Sequence, residues 1–279
     1  MTNLIRSAFS RLFKARVFWN ATLFCAGLGL FEIMTTYLDC KNGYADTYID
    51  CGLFAIAPIA LFPLAALVTL FVGCEFSDGA IRNKIVVGRK RCHIYLANLL
   101  VSVAAGWGLI LVWSLCYLIP GLLLMEMESS LTQILTLYGM LLCEMAVFAA
   151  LYNFLTMLLG NKATAAVVCI LLTIVMLFHG LVVNNRLEEP EYYSMGYVVR
   201  EDGSVEYDGE MIPNPNYLPK GSPARKRNEI LRDFTPGGVI VQIADLREEH
   251  AVKSCLYGAG WFVALTGAGI LLFRRKDLK

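Results

Sequence analysis

Six stretches, near 17–37, 53–73, 94–119, 132–157, 163–183 and 255–273, run with hardly an ionisable side chain. An α-helix rises about 1.5 Å per residue, so about 20 apolar residues cross a hydrocarbon core about 30 Å thick. No water reaches that core, so each stretch must satisfy its backbone N–H and C=O groups internally, as a helix. Composition agrees: 57% of the 279 residues are hydrophobic and only 17% charged, against about 25% charged in soluble domains. A mean hydropathy of +0.57 excludes a disordered chain, and a net charge of +1 lacks the basic excess of a nucleic-acid binder. The first stretch is long for a signal-peptide core and has no A-x-A-like cleavage site behind it, so it reads as a retained span.

Orientation follows from the bases that flank the spans. Arg6, Arg11, Lys14 and Arg16 precede the first, and Arg82, Lys84, Arg89, Lys90 and Arg91 lie between the second and third. Lys162 lies between the fourth and fifth, and Arg274, Arg275, Lys276 and Lys279 follow the sixth. The opposite side carries only Lys41 in its first loop, and Glu126 and Glu128 without a base in its second. The segment 184–254 has more acids than bases, and loops of that length translocate regardless of charge. The expectation is a multi-pass protein of the cell (plasma) membrane with both termini cytoplasmic.

The chain divides into an amphipathic interfacial helix (1–16), five spans with a cytoplasmic loop at 74–93 (17–183), an outer segment (184–254), and the sixth span with a basic tail (255–279). In the first part Leu4, Ile5, Ala8, Phe9, Leu12 and Phe13 share one side, opposite Arg6, Ser7, Ser10, Arg11 and Lys14. That pattern suits an elbow beside a cytoplasmic partner as well as simple anchoring in membrane lipid. In the 74–93 loop Ser77 or Asp78 can cap a short helix, Ile81 and Ile85 share a face, and Gly88 can end it left-handed. Arg89, Lys90 and Arg91 then meet lipid headgroups. In the outer segment Tyr197–Arg200 and Val205–Asp208 flank the hairpin signal Asp202-Gly203. Ser222-Pro223 opens one helix with Ile230, Leu231 and Phe234 on a face. Thr235-Pro236 opens a second with Val239, Ile240, Ile243 and Leu246, and both helices suit the outer leaflet. The fold class is thus an all-α integral membrane protein: six transmembrane helices, an N-terminal amphipathic interfacial helix, and a small α/β extracellular segment between helices 5 and 6.

Residues that carry chemistry are sparse. There is no G-x-x-x-x-G-K-[ST], so the chain has no P-loop for ATP. His93, His179 and His250 are scattered without an H-E-x-x-H, and Glu248-Glu249 has no matching histidines, so no catalytic set and no metal site is expected. The nine cysteines include no C-x-x-C. Cys40 and Cys51 share the first outer loop, either bonded in an oxidising exterior or as two free thiols. Two acids fall inside spans. Glu144, near the middle of the fourth, is either a substrate or proton contact on a translocation path or a structural hydrogen-bond partner of a neighbouring helix. Glu32, nearer the outer end of the first, has the weaker claim to the same path. Gly106, Gly108, Gly258, Gly260, Gly267 and Gly269 permit close helix contact.

The run EFSDGAIRNKIVVGRKR at Glu75–Arg91, followed by IYLANLL, resembles the first cytoplasmic loop of type-2 ABC transporter permeases. Members of that family tend to show E-F-x-x-G-T-I-R-x-K, then a Gly, then a basic residue before an I-Y-L-x-K-like span start. Glu75, Phe76, Gly79, Ile81, Arg82, Lys84, Gly88 and Arg91 match, while Ala80 replaces the usual Thr and Lys90 stands where a Ser is common. The tail FRRKDLK and the outer run NPNYLPKG are also similar to family members. The resemblance implies a membrane-spanning permease subunit of an ATP-driven ABC transporter, usually an exporter of drugs, antimicrobial peptides or lipids. It would pair with a second permease (its own copy or a homologue) and two copies of an ABC ATPase subunit. The eight matching residues would form the coupling helix that receives the ATPase, and ATP and Mg would sit on that partner, with no cofactor and no enzymatic activity on this chain. The competing reading is a non-transporting membrane sensor or immunity protein that binds a ligand through 184–254.

Overall fold

The computed structural model describes residues 1–42, 48–194, 198–199, 205–206 and 211–276. Among the described residues six helices are long and apolar enough to cross a membrane: α2 (Arg16–Lys41), α4 (Ile56–Ser77), α6 (Arg91–Leu124), α7 (Leu131–Leu159), α8 (Lys162–Glu188) and α11 (Ala251–Arg275). The protein is a multi-pass membrane protein in which helix predominates. All six run past the expected bounds, α6 at both ends and through Pro120, and α8 into what reads as the outer segment.

α4 and α7 form the centre, each touching α6, α8 and the short helix α10 (Pro236–Ala244), while α2, α8 and α11 lie around them. Burial follows that order, from 67% of the apolar window of α4 to 17% of that of α11. The outer helices turn Leu23, Phe31, Val175, Phe178, Val263 and Leu271 outward, the apolar exterior that lipid requires. Polar bonds tie the spans together. Tyr152 of α7 and Thr173 of α8 share a 2.6 Å hydrogen bond, the Tyr138 hydroxyl donates to Ser114 Oγ at 2.8 Å, and Trp107 donates to the Leu142 carbonyl at 2.9 Å.

α1 (Thr2–Lys14) is helical for the reason its pattern suggests: Leu4, Ala8 and Leu12 form a buried stripe that packs chiefly on α6. Phe13, expected on that stripe, is instead exposed beside α2, where Trp19 Nε1 donates to its carbonyl at 2.8 Å. The next short helix along the bundle end that holds α1 is α5 (Ala80–Val86). Its cap is neither Ser77, which belongs to α4, nor Asp78, but Gly79 at φ +66, a left-handed turn that glycine adopts without strain. Gly88 ends the loop at φ +83 as expected.

At the opposite end α3 (Asp50–Leu53) links two loops. Backbone N–H groups of Glu128 and Ser129 donate to the Asp50 carboxylate at 3.2 and 2.7 Å, and Ile49 N–H donates to Glu126 at 3.1 Å. Burial pushes the Asp50 carboxyl up, but the bonds from Ser129 and Glu128 outweigh it and hold the group below the ordinary carboxylate value.

Between α8 and α11, β1 (Tyr192–Ser194) pairs antiparallel with β4 (Met211–Pro213), a ladder the sequence did not suggest. β2 (Val198–Val199) pairs with β3 (Val205–Glu206), the expected hairpin; its Asp202-Gly203 turn lies outside the described residues. α9 (Pro223–Phe234) begins as expected, with Ser222 Oγ accepting from Arg225 N–H at 3.2 Å and Pro223 in its first turn. α10 does not lie on the leaflet. It is buried from Pro236 through Ile243, wedged against α8 with α4 and α7 behind it. Gly237 lies directly on the Met176 backbone of α8, and Gly180 on that of Gly237, approaches that only the missing side chains allow. Met176 is 12 residues before the end of α8, about 18 Å along the helix. α9 and α10 therefore form a re-entrant hairpin. A helix apolar on all sides buries itself completely, which the heptapeptide VIVQIAD only partly signals.

Candidate functional site

The eight residues matched in the 75–91 loop divide into two sets. Most turn inward. The Glu75 side chain is 0% exposed, and its Oε1 is shared by the Arg11 guanidinium of α1 and the Lys84 ammonium of α5. Asn98 Nδ2 of α6 donates to Oε2 at 2.6 Å, and the Arg11 guanidinium lies 4.4 Å from the centre of the Phe71 ring. One carboxylate thus joins α1, α4, α5 and α6. Phe76 packs on Phe273 with ring centres 6.4 Å apart, and Lys276 Nζ lies 4.5 Å from the centre of the Phe76 ring while donating to the Met157 carbonyl at 2.9 Å. Burial pulls the Lys276 ammonium below its ordinary value. Arg91 Nη1 donates to the carbonyls of Phe273 at 3.2 Å, Arg274 at 3.3 Å and Lys276, capping the end of α11 with a cation where the helix dipole is negative. Ile81 is 1% exposed beneath α5, and Gly79 and Gly88 make the two turns.

The outward set is smaller. Arg82 is exposed, together with Asn83, Arg89 and Lys90, and with Val86 (80%) and Val87 (76%) at the tip. Sequence reasoning missed these two valines. Their signal was an adjacent β-branched pair, just before a left-handed glycine, in a loop otherwise basic. The loop is thus a short helix clamped from behind by four elements, showing a face of two apolar side chains rimmed by cations.

Glu144 is 1% exposed on the face of α7 that meets α11. A Cβ on Gly258 would stand 2.9 Å from Glu144 Oε1 and 3.1 Å from Cys143 Sγ, so the missing side chain makes room for the carboxylate. Cys143 Sγ donates to the Cys255 carbonyl at 3.7 Å. Oε2 of Glu144 has no hydrogen-bond partner among the described residues. Glu32 is half-buried on α2, which packs on α6 and α4, so the two path candidates are not brought together. Cys40 is exposed at the end of α2; the Cys51 side chain, and with it the pairing, lies outside the described residues.

A further charged group braces the re-entrant hairpin. His250 Nδ1 and Lys253 Nζ both lie 3.2 Å from Oδ2 of Asp233, whose side chain is fully buried. The nearly buried Arg232 reaches Glu249 at 3.4 Å. Among the described residues no three His, Cys, Asp or Glu side chains are placed to hold a metal ion. The sequence matches no protein-family model, and no curated protein is significantly similar to it.

Proposed function

We propose that the chain is the membrane-spanning subunit of an ATP-driven transporter, an exporter energised by a separate ATPase that seats on α5. The observation that carries this reading is the construction of the 75–91 loop: an exposed face of Arg82, Val86, Val87, Arg89 and Lys90, on a helix pinned by Glu75 to α1, α4 and α6. Arg91 pins the loop's far end to α11. A helix held this firmly transmits a push from a soluble partner into four or more elements at once, instead of absorbing it. ATP binding on the partner then favours one of two bundle arrangements, because a ligand shifts an equilibrium by its differential affinity for the two states. The positive-inside asymmetry puts α5 and both termini in the cytoplasm, and a second permease completes the assembly in the plasma membrane.

The test is a mild-detergent pull-down of the tagged chain from its native cells, with bound proteins identified by mass spectrometry. Recovery of a P-loop ATPase, lost in V86D and R82A variants of unchanged thermal stability, supports the reading. Recovery of the chain alone, or ATPase recovery indifferent to both substitutions, overturns it.

A further inference from the structure

Cys143 of α7 and Cys255 of α11 are 112 positions apart in the chain, so no sequence motif announces them, and the fold brings them together. Cys143 Sγ donates to the Cys255 carbonyl at 3.7 Å, and the two thiols are in hydrogen-bonding contact with each other. Gly258 lets α11 come this close: a Cβ there would stand 3.1 Å from Cys143 Sγ. Neither thiol is sealed. Both cysteines are half-buried. Cys255 lines a groove of about 330 Å³ between α7 and α11, together with Thr136, Gly139, Met140, Val252 and Leu256. Val252 is 77% exposed and Leu256 68%, so the groove opens at the bundle surface. Met140, one helical turn before Cys143 on the same face of α7, borders the same void as Cys255. Two thiol side chains and one thioether side chain therefore converge where the groove meets the α7–α11 seam.

The donor set narrows what such a place can hold. Calcium and magnesium take oxygen ligands, and no carboxylate lines the groove. Structural zinc takes four ligands, and among the described residues no third His, Cys, Asp or Glu is placed to join the pair. His250, at the head of α11, is turned to Asp233 instead. An iron–sulfur cluster takes four cysteines. Copper(I) is the soft cation that thiolate and thioether sulfur select, and two or three such donors complete its shell. It is also monovalent, so with two thiolates it leaves a single net charge in an apolar seam. We propose that Cys143, Cys255 and Met140 form a copper(I) site, which the ion reaches along the α7–α11 groove. Binding displaces the two thiol protons to water and transfers no electron. The site does not rest on the transporter reading.

The test sets the full chain in phosphatidylcholine nanodiscs against the copper(I) chelator bicinchoninate, anaerobically with ascorbate, and reads the chelator's colour. Wild type should retain one equivalent of copper that C143S and C255S each lose, because a missing thiolate leaves the shell incomplete. M140L, which keeps the bulk and removes the thioether, should release that equivalent at a lower chelator concentration. C40S, which removes an exposed thiol, should hold it as wild type does. Zinc(II), competed with a zinc chelator, should show no equivalent that depends on the two cysteines. Thermal unfolding run alongside separates a lost site from a lost fold, and should one serine variant unfold early, the other and M140L decide. Copper retained equally by the serine variants is adventitious thiol binding only and overturns the site. No retained copper, retention indifferent to M140L, or a zinc equivalent lost with the same cysteines overturns it too. The experiment contains no ATPase, so its failure leaves the transporter reading standing, and the converse holds.

Discussion

Replacing Glu75 with Gln preserves the outline of the side chain and withdraws the negative charge that Arg11, Lys84 and Asn98 share. The cost can be built up contact by contact. The Arg11 and Lys84 side chains are 36% and 23% exposed, so solvent screens both pairs and each loses about 0.5–1 kcal/mol. The Asn98 bond is fully buried and charge-assisted. A neutral acceptor roughly halves such a bond, a further loss of about 1 kcal/mol. The total is about 2–3 kcal/mol, which for a chain of this size corresponds to about 5–10 °C in Tm. Thermal unfolding in nanodiscs, followed by a thiol-reactive dye that reports exposure of the buried Cys25 and Cys169, measures it directly. Hydrogen exchange should accelerate in α1 and α5, the two elements held only at their margins, and not in α7. A second replacement, Arg11→Gln, should add little to E75Q, because both break the same contact. A Tm within about 1 °C of wild type, with exchange in α1 and α5 unchanged, would show that Glu75 does not bind these elements together and would refute the account of the loop as a clamped lever.

Two further perturbations probe the opposite end. Gly237→Ala places a methyl group on the Met176 backbone. Overpacking of this kind costs about 1–3 kcal/mol and should raise hydrogen exchange through 236–244 while leaving α2 unaffected; unaltered exchange would place α10 elsewhere than against α8. Asp50→Asn tests the tie between the two loops. Because the folded-state pKa of Asp50 lies below its ordinary value, its contribution is fully present above the unfolded pKa of about 4 and is lost as pH falls through the folded value. D50N should therefore melt below wild type at pH 7, with the gap closing as the pH is lowered beneath about 4; a gap independent of pH would mean that charge on Asp50 contributes nothing.

Much of the architecture was legible before any coordinates. Six apolar runs forced six helices, since no other open-chain structure satisfies its own backbone in hydrocarbon. The stripe of Leu4, Ala8 and Leu12, the Ser222 cap, and the turn at Gly88 were local signals that survived intact. Of the candidate site, the 75–91 loop and Glu144 were visible as residues, but not their roles. The pattern sends Arg91 to the lipid headgroups and leaves Glu75 as one residue of a motif, yet their partners include Arg11, 64 positions away, and the carbonyls at the end of α11, more than 180 positions away. Val86 and Val87, which the sequence reading passed over, stand exposed at the tip.

The division has one physical cause. Sequence alone determined which long segments are helical and, for short amphipathic helices such as α1, which face is apolar, because backbone satisfaction and side-chain periodicity are properties of a segment by itself. In a membrane an apolar face is equally content against lipid or against another helix, so hydrophobicity no longer says what is inside. Only tertiary structure decided that α10 dives into the bundle, through the bare backbones of Gly180 and Gly237, and that Glu144 stands against Gly258 with an oxygen unmet.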